Sequence, residues 1–225
     1  MKSCALIKCL NWNLMHKAIL FISLFTACIS LKAQYPGYTQ LADLIKFREQ
    51  FSAASQKTSS LKSDFVQEKN LSMLSEKIIS KGKFWFKKDN LVRMEYNHPF
   101  QYLVVINKNN VLIKDGQKEN KISTSSNKLF QQVNKIIVDC VQGTALNNTD
   151  FKVKVFENNL SYLVELSPTA KGLTNYFKNI NILVDKKDYS VIKIEMHELS
   201  GDYTNINFIN KELNVNIPDA LFAIN

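Results

Sequence analysis

The chain has 225 residues, a formal net charge of +9 and 45% hydrophobic residues, enough to bury one core of ordinary size. Its 29 basic residues are spread along the sequence, without the dense basic stripe and stacking aromatics that nucleic-acid binding requires. No nucleic-acid partner is therefore expected. Attraction to anionic lipid headgroups or to an acidic protein surface stays open.

The first 33 residues predict a secretory signal peptide. A short basic segment that begins at Met15 precedes an uncharged apolar run over 18–31, and Ala33 then offers a small residue for cleavage before Gln34. The apolar run is too short to cross a bilayer as a permanent helix, which needs about 20 residues. Initiation at Met15 would give a leader of more usual length.

The cysteines bear on whether the mature chain is anchored to a membrane and whether it contains a disulfide or a zinc site. Cys28 follows small residues in the apolar run, so its lipidation, which would anchor the protein to a membrane, is an alternative to cleavage before Gln34. Without residues 1–33 the chain keeps 25 basic and 20 acidic residues, a net charge of +5, and a single cysteine, Cys140. Cys140 can form neither an internal disulfide nor a zinc site, and its apolar neighbours predict a buried position.

The mature chain predicts one helix followed by many strands. Residues 38–57 place apolar side chains at helical spacing, and from Leu61 onward the apolar period changes to two. Strands are predicted at 61–71, 78–88, 91–96, 100–107, 111–115, 151–156, 162–166, 177–184, 191–198, 203–209 and 221–224. Because short polar turns join them, neighbouring strands are expected to be antiparallel.

A second helix is predicted over 126–142, where apolar residues recur at three- and four-residue intervals. Ser126 is its expected N-cap and Gly143 its expected C-cap.

Together these elements indicate an α+β fold, mostly β, with a curved antiparallel sheet of about 11 strands that forms an incomplete barrel. Two helices cannot cover all of its apolar face. Such a face either packs solid or encloses a lipid-sized cavity, and the pattern alone favours solid packing.

Enzymatic motifs are missing from the sequence. His98 and His197 lack a second ligand at metal-binding spacing, and a nucleophile elbow, a phosphate-binding glycine loop and a dinucleotide fingerprint are absent. The acidic residues that could be paired are expected at turns or on the wet face of a strand, and they are Asp185, Asp188, Glu195 and Glu198. We therefore predict a protein that is not an enzyme, with no catalytic residue, metal or cofactor.

The stretch 82–99, GKFWFKKDNLVRMEYNHP, reads as two strands joined by a polar turn, and it resembles the characteristic hairpin of the LolA family of periplasmic lipoprotein carriers. That hairpin is followed in the family by an aromatic-rich strand that ends in proline. Other segments match the family in the same order, and they are Phe65-x-Gln67, Leu166-Ser167-Pro168, 177–184, 191–198, Asp202-x-Thr204 and Phe222.

The resemblance spans 38–225 and implies a single lipoprotein-carrier domain over 34–225. In this family an incomplete barrel with helices as a lid encloses an apolar cavity for lipoprotein acyl chains. The expected partners are lipoproteins, an inner-membrane ABC transporter that hands them over and an outer-membrane acceptor. The expected location is the periplasm, and the expected state is a monomer.

The resemblance also implies which residues line the cavity. On the sheet they are Phe84, Trp85, Phe86, Val92, Met94, Val104, Ile106, Ile192, Ile194 and Met196, and on the lid helix they are Leu129, Phe130, Val133 and Ile137.

The hairpin departs from the family at Lys88-Asp89, where an Arg-Pro pair is usual. The family's arginine holds the lid closed by hydrogen bonding to lid backbone. Lys88 lacks the planar guanidinium, so it is one latch candidate, and Arg93 is the other. Two rival functions are compatible with the sequence: an acceptor anchored to the outer membrane through Cys28, and a module of the same fold that senses lipids or proteins.

Overall fold

The computed structural model describes residues 34–74, 76–116, 118–123, 136–140 and 142–224, and of 118–123 it describes the backbone. Residues Tyr38–Asn225 form one compact unit. The predicted leader with Cys28, and most of the predicted helix 126–142 with Ser126, lie outside the described residues.

Strands dominate the described part of the chain. They are β1 (Thr39–Gln40), β2 (Ser60–Asn70), β3 (Lys77–Lys87), β4 (Leu91–His98), β5 (Tyr102–Asn107), β6 (Asn110–Asp115), β7 (Lys118–Ser123), β8 (Phe151–Glu157), β9 (Ser161–Pro168), β10 (Phe177–Asp185), β11 (Val191–Glu198) and β12 (Tyr203–Leu213). Helix α1 spans Leu44–Lys57, a four-residue helix spans Lys171–Thr174, and residues 136–140 are helical. Two 3-10 turns lie at Ala145–Asn147 and Asp219–Phe222.

The described strands form one antiparallel sheet in the order β1-β8-β9-β10-β11-β12-β2-β3-β4-β5-β6-β7. β1 and β7 lie at opposite edges, so the sheet is not closed. Apart from the two-residue β1, eleven strands make up the sheet among the described residues. The α+β, mostly β fold with an incomplete barrel of about 11 strands is confirmed.

The two faces of the sheet are covered differently. The inner face, defined as the one that packs on Phe47 and Phe51 of α1, carries the main apolar cluster. The outer face over β3–β6 is covered by the C-terminal segment 214–224, which contributes Ile217 and Phe222 to a second cluster. Asn107 Nδ2 donates to the Phe222 carbonyl at 3.0 Å and helps to fix this segment.

Local chemistry explains where the elements begin and end. The Asp43 carboxylate accepts a hydrogen bond from the Lys46 backbone N–H at 2.9 Å, so α1 begins after Asp43 rather than at residue 38 as predicted. The β3–β4 hairpin turns through Asp89 and Asn90, whose φ angles of 70° and 64° suit a tight turn between twisted strands.

Two further predictions about elements were incomplete. The predicted strand at 221–224 is wrong, because Pro218 is followed by a 3-10 turn and the chain runs over the outer face instead of joining the sheet. Strand β7 was not predicted, since its sequence is almost wholly polar. None of the described helices is long and apolar enough to cross a membrane.

Candidate functional site

The inner face of β2–β6 is built from two rows of cross-strand neighbours that are almost entirely apolar. Strand register aligns the first row as Leu61, Phe86, Val92, Ile106 and Val111. The second row is Ser63, Phe84, Met94, Val104 and Ile113. Because side chains alternate between faces, every second residue of these strands reaches the same side. Both rows belong to, or pack against, the main apolar cluster, apart from Ser63.

Ser63 is the polar exception in these rows, and its hydroxyl is satisfied. It is 2% exposed and donates to the carbonyl oxygens of Asp64 and Ile209 at 2.7 and 2.8 Å. A buried hydroxyl that is hydrogen-bonded to backbone leaves the apolar character of the face intact.

Strands β10–β12 extend the same apolar face. Ile194 is fully buried and Met196 is 6% exposed, and both belong to the main cluster, on the face predicted for them. The ring of Phe208 on β12 meets that of Phe84 edge to face at 5.2 Å. The inner face is therefore continuous from β10 to β6.

Helix α1 lies over this face. Phe47 and Phe51, on successive turns, stack at 5.6 Å, and Phe47 packs on the Tyr162 ring of β9 at 4.6 Å. Ile137 of the second helix is also buried in the main cluster, whereas the predicted lid residues Leu129, Phe130 and Val133 lie outside the described residues. Gly143, with a φ of 74°, packs so closely on Ser55 that a Cβ there would lie 2.0 Å from the Ser55 hydroxyl oxygen.

Trp85 does not lie on the inner face. It packs on the outer-face cluster with Val105, Leu112 and Phe222, while Phe84 and Phe86 on either side of it point inward. The predicted placement of Trp85 in the cavity is corrected, because strand alternation sends one of three consecutive aromatic residues to the opposite face.

Arg93 lies beside Trp85 on the outer face. Its guanidinium is 5.9 Å from the Trp85 ring centroid, donates to the Leu221 carbonyl at 3.2 Å and pairs with Glu95 at 2.8 Å. Arg93 therefore holds the C-terminal segment and is excluded as a latch for helices on the inner face.

Ile192 stands at a β-bulge. Val184 pairs with Val191 and Leu183 with Lys193, so Ile192 is the extra residue of β11. The bulge places Val191 in the main cluster in addition to Ile194, and Ile192 is only half-buried and not part of that cluster. The predicted inward position of Ile192 is corrected for this reason.

Lys88 reaches helix α1. Its Nζ donates to the backbone carbonyl of Gln56 in the last turn of α1 at 2.5 Å, and its own backbone N–H donates to the Ser59 carbonyl at 2.9 Å. Of the two latch candidates, Lys88 is thus the one that contacts helix backbone. A helix C-terminus favours a cation, since its last carbonyls lack partners within the helix.

A cavity of about 310 Å³ opens on the inner face where β2, β4 and β6 end, and this end of the sheet is called the mouth below. Gln67, Tyr96, Tyr102 and Asp115 line it with three other residues. The Tyr96 hydroxyl donates to the Gln67 side-chain oxygen at 3.0 Å, and Tyr96 meets the rings of Phe65 and Tyr102 edge to face at 4.9 and 5.6 Å. Phe100 on its rim is 77% exposed.

A second cavity, of about 460 Å³, lies at the opposite end between α1 and the sheet. Tyr189 forms part of its wall, with a φ of 59° that is unusual for a bulky residue, and its hydroxyl donates to the Gln50 side-chain oxygen of α1 at 2.9 Å. This contact is a second tie on α1, in addition to Lys88.

The chemistry available on the inner face is that of apolar binding. Burial raises the pKa of the Cys140 thiol well above its usual range, and the nearby Asp139 charge adds to this shift, so Cys140 stays an uncharged thiol. Among the described residues, no group of three or more His, Cys, Asp or Glu side chains is placed to hold a metal ion.

Comparison with protein families gives a match over most of the chain. The family model described as "Outer membrane lipoprotein carrier protein LolA" matches residues 56–225. Among curated proteins, no sequence matches this chain.

Several solved structures are similar to this chain at low sequence identity. The LolA superfamily protein NE2245 from Nitrosomonas europaea is 10% identical, with a TM-score of 0.43 over 80% of this chain and 96% of that chain. An uncharacterized conserved protein from Thermus thermophilus is 9% identical, with a TM-score of 0.48 over 79% and 91% of the two chains. The Pseudomonas aeruginosa MucA/MucB complex structure is 14% identical, with a TM-score of 0.47 over 79% of this chain and 60% of that chain.

Proposed function

We propose that this chain, which belongs to the LolA family of outer membrane lipoprotein carrier proteins, binds the acyl chains of lipoproteins on the inner face of its sheet and carries them across the periplasm. The observation that supports this proposal most strongly is the pair of apolar rows on β2–β6, which run beneath α1. A carrier role of this general kind also agrees with the family. Transport of lipoproteins from the inner to the outer membrane is our specific proposal.

The energetics of acyl chains explain why such a carrier needs a dry site. Each CH₂ group removed from water gains about 0.8 kcal/mol, so a lipoprotein does not leave a membrane for water unaided. The inner face offers aliphatic, aromatic and thioether side chains such as Val104, Phe86 and Met94. These contacts are non-directional, which suits acyl chains that have no hydrogen-bonding groups.

Release must be as feasible as capture, and the inner face fits this requirement. Among its described residues the two apolar rows provide no charge to anchor a ligand. In this proposal α1 acts as a lid, and the hydrogen bonds of Lys88 to Gln56 and of Tyr189 to Gln50 stabilise its closed position. Both bonds can break without loss of the core, since both lie at the exposed surface.

Transport between two membranes requires a partner at each membrane. An inner-membrane ABC transporter would deliver the lipoprotein, and an outer-membrane acceptor would receive it. We propose a monomeric, non-enzymatic protein without a cofactor, secreted through a signal peptide over 1–33.

Mass spectrometry of the protein purified from its native envelope tests this function. We expect an N-terminus at Gln34 and copurified diacyl or triacyl lipoprotein. A lipidated N-terminus at Cys28 would instead support an anchored acceptor of the same fold. If no acylated ligand copurifies and fluorescent acyl probes do not bind, the carrier function is wrong.

A matched pair of variants links binding to the inner face. Met94→Gln places an amide among the apolar rows, whereas Glu95→Gln places the same side chain on the outer face of the same strand. An unpaired buried amide costs about 1–3 kcal/mol, so we expect acyl affinity to fall about tenfold or more in Met94→Gln alone. Equal affinities in the two variants would contradict binding on this face.

A further inference from the structure

The inner face changes character toward the mouth. The row next to Phe84 and Met94 aligns Phe65, Gly82, Tyr96, Tyr102 and Asp115 in register across β2–β6. One step further out, Gln67 pairs with Ser80. Neighbouring rows on one face are two residues, or roughly 7 Å, apart along a strand. Within two such rows, the inner face therefore changes from apolar side chains to hydroxyl, amide and carboxylate groups.

These polar groups surround one cavity rather than being scattered. Gln67, Ser80, Tyr96, Tyr102 and Asp115 all line the cavity of about 310 Å³ at the mouth, and we call them the polar collar. An amphiphile whose acyl chains lie on the apolar rows would therefore place its polar end in the collar. The reverse orientation would bury polar groups against aliphatic side chains without partners.

The two tyrosines of the collar are neutral hydrogen-bonding groups at neutral pH. Burial raises the pKa of Tyr96, and the neighbouring Tyr102 adds to the shift. Burial also raises the pKa of Tyr102, and the negative charge of Asp115, its cross-strand partner, raises that pKa further. The Tyr102 hydroxyl is therefore able to donate to an ester or amide carbonyl, whereas the O–H of Tyr96 already donates to Gln67 and its oxygen is left as an acceptor.

Asp115 is the charged residue among those that line this cavity. Lys114 pairs in register with Leu103 on the outer face and, with Arg93 and Glu95, lines a neighbouring cavity that Tyr96 and Tyr102 also line. Asp115 is thus the charge in the collar's own lining, and its partner in register on β7 is Lys118.

Lys69 lies on the inner-facing side of β2, one residue pair beyond Gln67, and its charge acts on Asp202. The pKa of Asp202 is lowered chiefly by the Ser72 backbone and side-chain hydrogen bonds, and the charge of Lys69 also contributes. Lys69 does not line the cavity. The collar thus presents a carboxylate, hydroxyls and an amide to the polar end of a ligand.

We propose that the polar collar selects among acylated ligands by the charge of their polar end, favouring a diacylated peptide with a free N-terminal ammonium group and disfavouring anionic amphiphiles. This inference rests on the proposed function and adds the orientation and the charge preference of its ligand. A carboxylate beside the ligand's polar end attracts an ammonium group and repels a phosphate or carboxylate. A carrier that works beside membranes rich in anionic phospholipid would gain selectivity from such a residue.

Three lipopeptides with identical acyl chains test the proposal. Each carries dipalmitoylglyceryl-cysteine on an uncharged peptide, and its N-terminus is free, acetylated or succinylated, so that its charge is positive, zero or negative. Affinity for the full chain is measured by displacement of a fluorescent acyl probe at low salt. We expect affinity to fall about twofold to fivefold with each step toward negative charge, because an exposed ion pair is worth up to about 1 kcal/mol.

Two variants assign the preference to the collar. Asp115→Asn keeps the shape of an exposed side chain and removes its charge, and we expect the three affinities to become equal. Asp89→Asn neutralises a carboxylate in the β3–β4 turn at the opposite end of the sheet, and the preference should persist.

The outcomes separate this inference from the function on which it rests. Equal affinities of the unmodified chain for the three lipopeptides would overturn the charge preference and leave the carrier function intact. A preference that survives in Asp115→Asn would overturn the role of the collar. Failure of all three lipopeptides to bind would overturn the carrier function and the inference together.

Discussion

The side-chain ammonium of Lys88 and the backbone carbonyl of Gln56 are 2.5 Å apart, which joins the β3–β4 turn to the last turn of helix α1. The Lys88 ammonium makes this one hydrogen bond to α1, whereas the planar guanidinium of an arginine could make a forked pair. The side-chain contact between the β3–β4 turn and α1 therefore depends on a single donor.

Loss of this contact should loosen α1 locally. In Lys88→Met we expect amide hydrogen exchange in the last turn of α1 to become about twofold to fivefold faster, since an exposed hydrogen bond contributes at most about 1 kcal/mol. Lys87→Met is the control, because Lys87 binds Ile217 and Asp219 on the outer face. Exchange in α1 that changes equally in both variants would contradict a specific role of Lys88.

Position 82 has no room for a side chain, so glycine is required there. A Cβ at this position would lie 2.0 Å from the Glu95 carbonyl oxygen and 2.7 Å from the Phe65 ring. We expect Gly82→Ala to lower the free energy of unfolding by about 1–3 kcal/mol, as overpacking against backbone does. Urea denaturation measures this. Gly116→Asn is the comparison, since Gly116 has open space and a φ of 58° that asparagine tolerates, and its loss should be smaller.

Stability should fall at alkaline pH. Burial raises the pKa values of Cys140 and Tyr96 above their ordinary values of 9.0 and 10.0, so in the unfolded chain these groups lose protons at lower pH than in the folded one. Their contribution is complete below pH 9 and declines as the pH rises further. Urea denaturation at pH 7, 9 and 10.5 should show a weaker decline in Tyr96→Phe than in the unmodified chain. Parallel declines would contradict the shift assigned to Tyr96.

Trp85 should be insensitive to bound acyl chains. It lies on the outer face, and in the chain from Gln34 onward it is the single tryptophan. Brominated acyl chains should therefore leave its fluorescence nearly unquenched. The double variant Phe84→Trp/Trp85→Phe moves the indole to the inner face and should be strongly quenched. Strong quenching of Trp85 itself would contradict the placement of the ligand.

Much of the fold follows from local sequence patterns. Alternating apolar residues with short turns predict most strands within a few residues, and Asp89-Asn90 is a clear turn. The pattern fails for β7, because a strand of polar residues at a sheet edge has no apolar period to detect.

For several predicted cavity residues, the local sequence does not determine which face of the sheet the side chain occupies. Alternation gives two faces but does not say which one is inner for Phe84-Trp85-Phe86, since all three residues are apolar. The bulge at Ile192 is set by pairing with β10, and no local signal reveals it. The polar collar was also missed, because Tyr96, Tyr102 and Asp115 are brought into one row by strand register alone.

The most direct test of acyl-chain binding on the inner face is photo-crosslinking. An acyl chain that carries a diazirine at its terminus is bound and activated, and the labelled residues are then mapped. Ligand binding on the inner face predicts labels on residues such as Phe86, Val92 and Ile106, and none on Val105 or Leu112 of the outer face. Labels confined to the outer face, or no labelling of the inner rows, would contradict it.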